Sequence, residues 1–185
     1  MTGLVILAII VAIVGYVIFI YNDLVSKRQL KDEGWSGIDV QLKRRTDLIP
    51  NLLETVKGYM GHERATLEAV TNARAAATAG ANAGPAERSA LEGALSGALG
   101  KLLAIAEAYP DLKANTTFLE FQAALRTVED EIQLARRYFN GAVRNLNTAV
   151  ESFPSNVIAN AFKFDKSDYF ELENEADRAV PTVKF

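Results

Sequence analysis

The sequence predicts an all-α protein: an N-terminal transmembrane helix continuing into an antiparallel four-helix bundle, with an aromatic C-terminal strap. Three observations carry this. No Asp, Glu, Lys or Arg occurs before Asp23, and 18 of the first 22 residues are apolar, whereas all 20 basic and 23 acidic side chains fall in the remaining 163 of 185 residues. Apolar residues in that remainder recur at threes, fours and sevens, the spacing of one buried helical stripe. Nothing alternates with period two before residue 160. The boundaries expected are an anchor over 1–22, a bundle over 23–154 and a strap or interaction tail over 155–185.

The run from Gly3 to Tyr21 contains neither charge nor proline. As a helix it rises roughly 28 Å, close to the hydrocarbon thickness of a bilayer. A cleaved signal peptide would call for a basic start, a shorter apolar run and a small-residue cleavage site. Here no Lys or Arg precedes the run, which ends in Phe19-Ile20-Tyr21-Asn22. A retained anchor is therefore expected, with Tyr21, Lys27, Arg28 and Lys31 at the membrane interface. The Lys and Arg on this side predict an outside N-terminus and a cytoplasmic domain, with the periplasmic side as the alternative.

No breaker separates Tyr21 from Glu33, so the membrane helix is expected to run on into a first soluble helix carrying Leu24, Leu30, Ile38 and Leu42. Gly34 and Gly37 around Trp35 are read as bends, and Pro50 as the cause of a turn or kink around Thr46 to Ile49. A second helix from Pro50 to about Ala77 presents Leu53, Val56, Met60, Leu67 and Val70, ending at Gly80, Gly84 and Pro85. A third, about Ala86 to Ala108, presents Leu91, Leu95, Leu99, Leu102 and Leu103 and stops at Tyr109-Pro110. The fourth carries Phe118, Phe121, Leu125, Val128, Ile132, Ala135, Phe139, Leu146 and Val150 as far as Phe153-Pro154. Asn115, Thr116 and Thr117 are its N-cap candidates, with Glu120 placed for a capping box. Four such helices with short connections imply an antiparallel bundle.

The tail holds Phe162, Phe164, Tyr169, Phe170 and Phe185 among acidic groups, and residues 151–185 carry 7 acidic and 4 basic side chains. Two readings apply: a strap packed over one end of the bundle, or a surface for a neighbouring subunit.

Composition removes most chemistry. With no cysteine there is no disulfide framework, thiolate metal site or catalytic thiol. A formal net charge of −3 without a basic tail argues against nucleic acid. A di-iron bundle needs two Glu-x-x-His pairs, but the single histidine, His62, follows Tyr59 at that spacing. A Ser–His–acid triad would have to use the same His62, with no Gly-x-Ser-x-Gly turn to expose a serine. There is no dinucleotide or phosphate-binding glycine loop. The expectation is no enzyme, no metal and no cofactor.

Three polar or small-residue features remain. Lys43-Arg44-Arg45 is a compact basic cluster that meets either anionic lipid or carboxylates of neighbouring helices. A continuous helix would carry it about 30 Å beyond Tyr21, which favours the carboxylates. Asn140, Asn145 and Asn147 on the fourth helix are read as register-fixing amides. Gly93, Gly97 and Gly100 are read as allowing close helix contact.

At these residues the chain resembles the LemA family. The resemblance is carried by Tyr21-Asn22-Asp23-Leu24-Val25, by WSGIDVQLKRRTDLIPNLLETVKGYMGHE from Trp35 to Glu63 and by YPDLKAN from Tyr109 to Asn115. ARRYFNGAVRNLNTAVESFP from Ala135 to Pro154 and the closing Pro181 to Phe185 complete it. It implies a bacterial, inner-membrane protein with one span and a four-helix bundle. It supplies no catalytic residues and points to membrane organisation or remodelling. The function expected is a non-enzymatic single-pass scaffold on the lipid bilayer that forms a homo-oligomer, with other membrane proteins as further partners. Lys43, Arg44, Arg45, Phe162, Phe164, Tyr169 and Phe170 are its candidate interaction residues. The alternative is a membrane-anchored sensor or binding module whose bundle takes a small ligand or partner protein.

Overall fold

The computed structural model describes residues 1–171, and every regular element among them is a helix. These are α1 (Thr2–Lys57), α2 (Arg64–Ala79), α3 (Pro85–Ala106), α4 (Pro110–Lys113), α5 (Thr116–Glu151) and α6 (Ser155–Ala161), with a 3-10 turn at Gly80–Asn82. The chain divides into two compact units. An anchor unit joins Met1–Gly37 to Ala135–Tyr169, and a core unit joins Ile38–Leu134 to Phe170 and Glu171.

Helix α1 is unbroken from the apolar run to Lys57, as the absence of a breaker before Glu33 predicts. Thr46 to Ile49 are helical, so Pro50 does not produce a turn there. Pro50 has no N–H for the carbonyl of Thr46, four residues back, and that loss normally kinks a helix. Here the Arg74 Nε of α2 donates to the Thr46 carbonyl at 3.0 Å, so the freed acceptor is satisfied and the helix continues. The break comes later, between Lys57 and Arg64, where the N–H groups of Tyr59 and Met60 both donate to the Val56 carbonyl at 3.0 Å. The single helix expected over 50–77 is thus the end of α1 followed by α2.

The core unit buries one face of each of its longer helices. Ile49, Leu52 and Val56 of α1 meet Leu67 and Val70 of α2, Leu95, Leu99 and Leu102 of α3, and Phe118 and Leu125 of α5, with Met60 from the intervening turn. At about 25 cal/mol per Å² of apolar surface removed from water, this cluster is the main source of the unit's stability. Helix α3 is also long and apolar enough to cross a membrane. Its buried leucines and the buried Arg88 and Glu92 make it a core helix instead. A Cβ on Gly93, Gly97 or Gly100 would meet nothing within 4 Å, so these glycines do not mark a close helix contact. Helix α5 begins as its sequence predicts, with Asn115 Oδ1 accepting from the Phe118 N–H at 3.0 Å. Because Asn115 is the cap, Glu120 lies too far along for the expected capping box.

In the anchor unit α1 and α5 run antiparallel. A Cβ on Gly34 would lie 3.0 Å from the Phe139 Cα, and the Trp35 and Phe139 rings stand 5.3 Å apart. Ten residues further along each helix, Leu24 and Ala149 share a second apolar cluster with Ile20, Ala159 and Phe164. Gly34 is therefore a close-approach residue. Leu30, expected in the buried stripe, is exposed. Of the three asparagines, Asn147 fixes the chain after α6: its side chain accepts from the Ser167 N–H at 2.8 Å and donates to the Ser167 carbonyl at 2.9 Å.

Candidate functional site

Three places carry the residues with functional promise. The first is the C-terminal end of the apolar run of α1. From Leu4 to Phe19 the large apolar side chains of α1 lie exposed apart from the half-buried Val17, and the first buried one is Ile20. The segment is long and apolar enough to cross a bilayer. A helix exposed on every apolar side makes sense when its surroundings are hydrocarbon. Directly after it, Tyr21 packs edge-on against Phe162 at 4.9 Å and Phe164 at 5.8 Å. The Arg28 guanidinium sits 5.0 Å from the centre of the Phe164 ring, a cation–π arrangement. Lys27 pairs with Asp23 one turn earlier, and Lys31 with Asp32 at 2.9 Å. The four residues expected at the interface thus share one end of the apolar run, with two lysines held by carboxylates.

The tail residues separate into two kinds. Phe164 and Phe170 are buried and belong to the interior, whereas Phe162 and Tyr169 are exposed. Among the described residues, the exposed aromatics of the tail after Phe153 are therefore those two rings. Lys166 pairs with Glu151 at 2.7 Å, a contact that holds its ammonium pKa above the ordinary value. Phe185 and Pro181–Phe185 lie outside the described residues.

The second place is a buried charge cluster in the core unit. Lys43, Arg44 and Arg45 do not act as one patch, because successive helical side chains point about 100° apart. Lys43 is exposed and pairs with Asp47 at 2.6 Å, Arg44 is exposed, and Arg45 points inward. Arg45 Nη2 donates to Glu92 Oε2 at 2.5 Å, while its Nη1 donates to Ser96 Oγ at 2.7 Å and Glu129 Oε2 at 3.1 Å. Glu92 also accepts from Arg88 Nε at 3.1 Å, and Arg88 Nη2 reaches Asp39 Oδ1 at 3.1 Å. Arg88 donates to the carbonyls of Gly80 and Ala81 as well, closing the end of α2. Burying charges is costly unless each is paired and hydrogen-bonded, which this chain of contacts largely achieves. The sequence pointed to ion pairs for the basic cluster but missed Arg88 and Glu92. Their signal was an Arg and a Glu four residues apart inside a helix rich in alanine and leucine.

The third place is a cleft of about 440 Å³ over this cluster, lined by Arg45, Ser96, Gly100, Gln122, Arg126 and Glu129 with leucines between them. Arg45 forms part of its wall, and the Arg45 Nε has no hydrogen-bond partner among the described residues. Also among them, no three His, Asp or Glu side chains come together to hold a metal. His62 is exposed on the turn after α1. On the same side of the fold Tyr109 Oη donates to Glu63 Oε1 at 3.3 Å. Burial, then the Glu63 charge and hydrogen bond, pushes the Tyr109 phenol above its ordinary pKa.

An exposed apolar span joined to helices whose polar interior is occupied by ion pairs defines an all-helical, membrane-associated protein. Residues 34–185 match the LemA family, and the chain belongs to it. It is 25% identical over 150 residues to Protein LemA of Metamycoplasma hominis, covering 79% of this chain and 68% of that one. It is 23% identical over 197 residues to Magnetosome protein MamQ 2 of Paramagnetospirillum magneticum, covering 94% and 72% of the two chains. Magnetosome protein MamQ of Magnetospirillum gryphiswaldense is 29% identical over 83 residues, 45% of this chain and 30% of that one.

Proposed function

We propose that this chain is a non-enzymatic, single-pass membrane scaffold that self-associates and organises or remodels the bilayer it crosses. The observation that carries the reading is α1 itself, in which an exposed apolar run passes without a break into a helix bearing buried side chains. In this reading the helices after the span form a four-helix bundle, the tail straps it, and the bundle faces the cytoplasm across a bacterial inner membrane. The lipid bilayer, further copies of the chain and other membrane proteins are its partners. None of the three relatives is named for a reaction, in keeping with a structural role. Mass measurement of the full chain after extraction in native-like bilayer discs tests self-association. A strict monomer at high concentration ends the scaffold reading, and a chain truncated after Pro154 that keeps its full assembly size removes the tail from the contact.

A second reading, a membrane-anchored binding module, is favoured by the cleft beside Arg45. Its volume falls within the ordinary range for small-ligand sites, and it combines apolar walls with a few convergent polar groups. Screening anionic small molecules by thermal shift tests it. A stabilisation that Arg126→Ala abolishes supports the module, and no shift for any compound removes it.

A further inference from the structure

The apolar surface of the anchor unit does not end with α1. Phe153 is 83% exposed, Val157 57% and Phe162 55%, on the turn after α5, on α6 and directly after it. Large side chains left this open, close to one another in the chain, mark a contact rather than an ordinary surface. Their position says with what.

The pairing of Gly34 with Phe139 fixes the axial register of α1 and α5, and the sharing of one cluster by Leu24 and Ala149 repeats it ten residues on. Continued at the same rise, Phe153 stands level with Ile20, within the last turn of the apolar run. Phe162 reaches that level independently, with its ring 4.9 Å from that of Tyr21. The segment is also held in place. Ser155 Oγ donates to the Ala149 carbonyl at 2.6 Å, Asn147 grips Ser167, and Lys166 pairs with Glu151. Where α1 leaves the hydrocarbon, a tethered apolar face therefore lies beside it.

We infer that Phe153, Val157 and Phe162 form a second membrane contact, seated in the headgroup and acyl boundary of the leaflet from which α1 emerges. Aromatic rings favour that zone, and an amphipathic element lies in it with its apolar face buried about 5–10 Å. Arg28 and Lys163, both exposed at this end of the unit, are placed to meet anionic headgroups. The contact rests on α1 spanning the bilayer. It adds that the anchor unit touches lipid at two places, which restricts rotation of α1 about its own axis.

The absence of cysteine makes the test direct, because a single introduced cysteine takes a nitroxide label with no residue to remove first. The full chain is reconstituted in vesicles of phosphatidylethanolamine and phosphatidylglycerol as Phe153→Cys, Val157→Cys, Ile13→Cys or Arg137→Cys. Collisions of each label with dissolved oxygen and with a water-soluble nickel chelate are then compared. Residue 13 reports the middle of the span, and residue 137 an exposed site about 24 Å back along α5. Expected are oxygen-to-nickel ratios at 153 and 157 several-fold above that at 137 and below that at 13. Labels at 153 and 157 as nickel-accessible as that at 137, with 13 deep, would overturn the inference and leave the anchor standing. A nickel-accessible label at 13 would remove the anchor, and the inference with it. Labels shielded from both reagents, and released only by dilution with unlabelled chain, would assign the face to a second copy instead.

Discussion

Arg45 and Glu92, 47 residues apart in sequence, meet in the core unit with side chains only 2% and 1% exposed. Glu92 serves two cations, because Arg88 Nε donates to its other oxygen. Removing one partner of a buried pair costs about 3–5 kcal/mol, since the other is left charged without compensation. Glu92→Ala leaves two buried guanidiniums short of a carboxylate, whereas Arg45→Met leaves Glu92 still paired with Arg88. Circular-dichroism melting of the full chain in detergent is expected to rank Glu92→Ala as the more damaging. The double variant Arg45→Met with Glu92→Leu is expected to melt above Glu92→Ala alone. A double variant no more stable than that single one would mean the two side chains are not energetically linked.

Two glycines three residues apart on α1 are expected to respond with opposite signs. A Cβ at Gly34 would lie 3.0 Å from the Phe139 Cα, and a backbone atom cannot step aside as a side-chain tip can. Gly34→Ala should lose roughly 1–3 kcal/mol to overpacking, more than the gain of up to about 1 kcal/mol from helix propensity. At Gly37 nothing lies within 4 Å, so Gly37→Ala should keep that gain. Melting temperatures moving in the same direction for both variants would contradict the close approach of α1 and α5.

Tyr109 sets an alkaline signature. Its folded-state pKa lies above 10.0, raised first by burial and then by Glu63. A raised pKa means the folded state holds the proton more tightly. The stability it contributes is therefore complete below about pH 10 and is lost as the pH climbs through the folded value. The phenolate absorbance that disappears in Tyr109→Phe should titrate above 10.0, and Glu63→Gln should move it down. An unmoved midpoint in Glu63→Gln would detach the phenol from that carboxylate.

The span is apolar enough to tolerate one insult. Thirteen residues between Gly3 and Tyr21 are Leu, Ile, Val or Phe. Near the centre of a span each favours insertion by about 0.3–0.6 kcal/mol, whereas an Arg opposes it by about 2.5–3.5 kcal/mol. Ile10→Arg alone should therefore stay with the membrane fraction after an alkaline carbonate wash, and Ile10→Arg with Ile13→Arg should be largely released. Retention of the double variant would place the membrane attachment elsewhere.

The helical class, the apolar run and most buried stripes were legible in the sequence because periodicity reports burial directly. Phe118, Leu125, Val128, Ile132, Phe139 and Leu146 are all buried along one helix, as their spacing requires. Tertiary effects were not legible. Nothing local in Gly34 announces a close-approach site, and nothing local in the Lys43-Arg44-Arg45 run says which residue turns inward. Glu92 looked like one carboxylate among many, because its two arginine partners include one on another helix. The tail aromatics divided for the same reason: Phe164 finds Tyr21 and Arg28, while Phe162 keeps one side open.

The hydrogen bond from Arg74 to Thr46 has a consequence for the order of folding. A proline in mid-helix leaves one carbonyl without its regular donor four residues on. In this chain the missing donor arrives from a residue 28 positions later. The stretch of α1 beyond Thr46 is thus incomplete as an isolated helix and is finished only when α2 docks. That closing hydrogen bond belongs to the assembled core, and a chain emerging from synthesis acquires it only after Arg74 has been made.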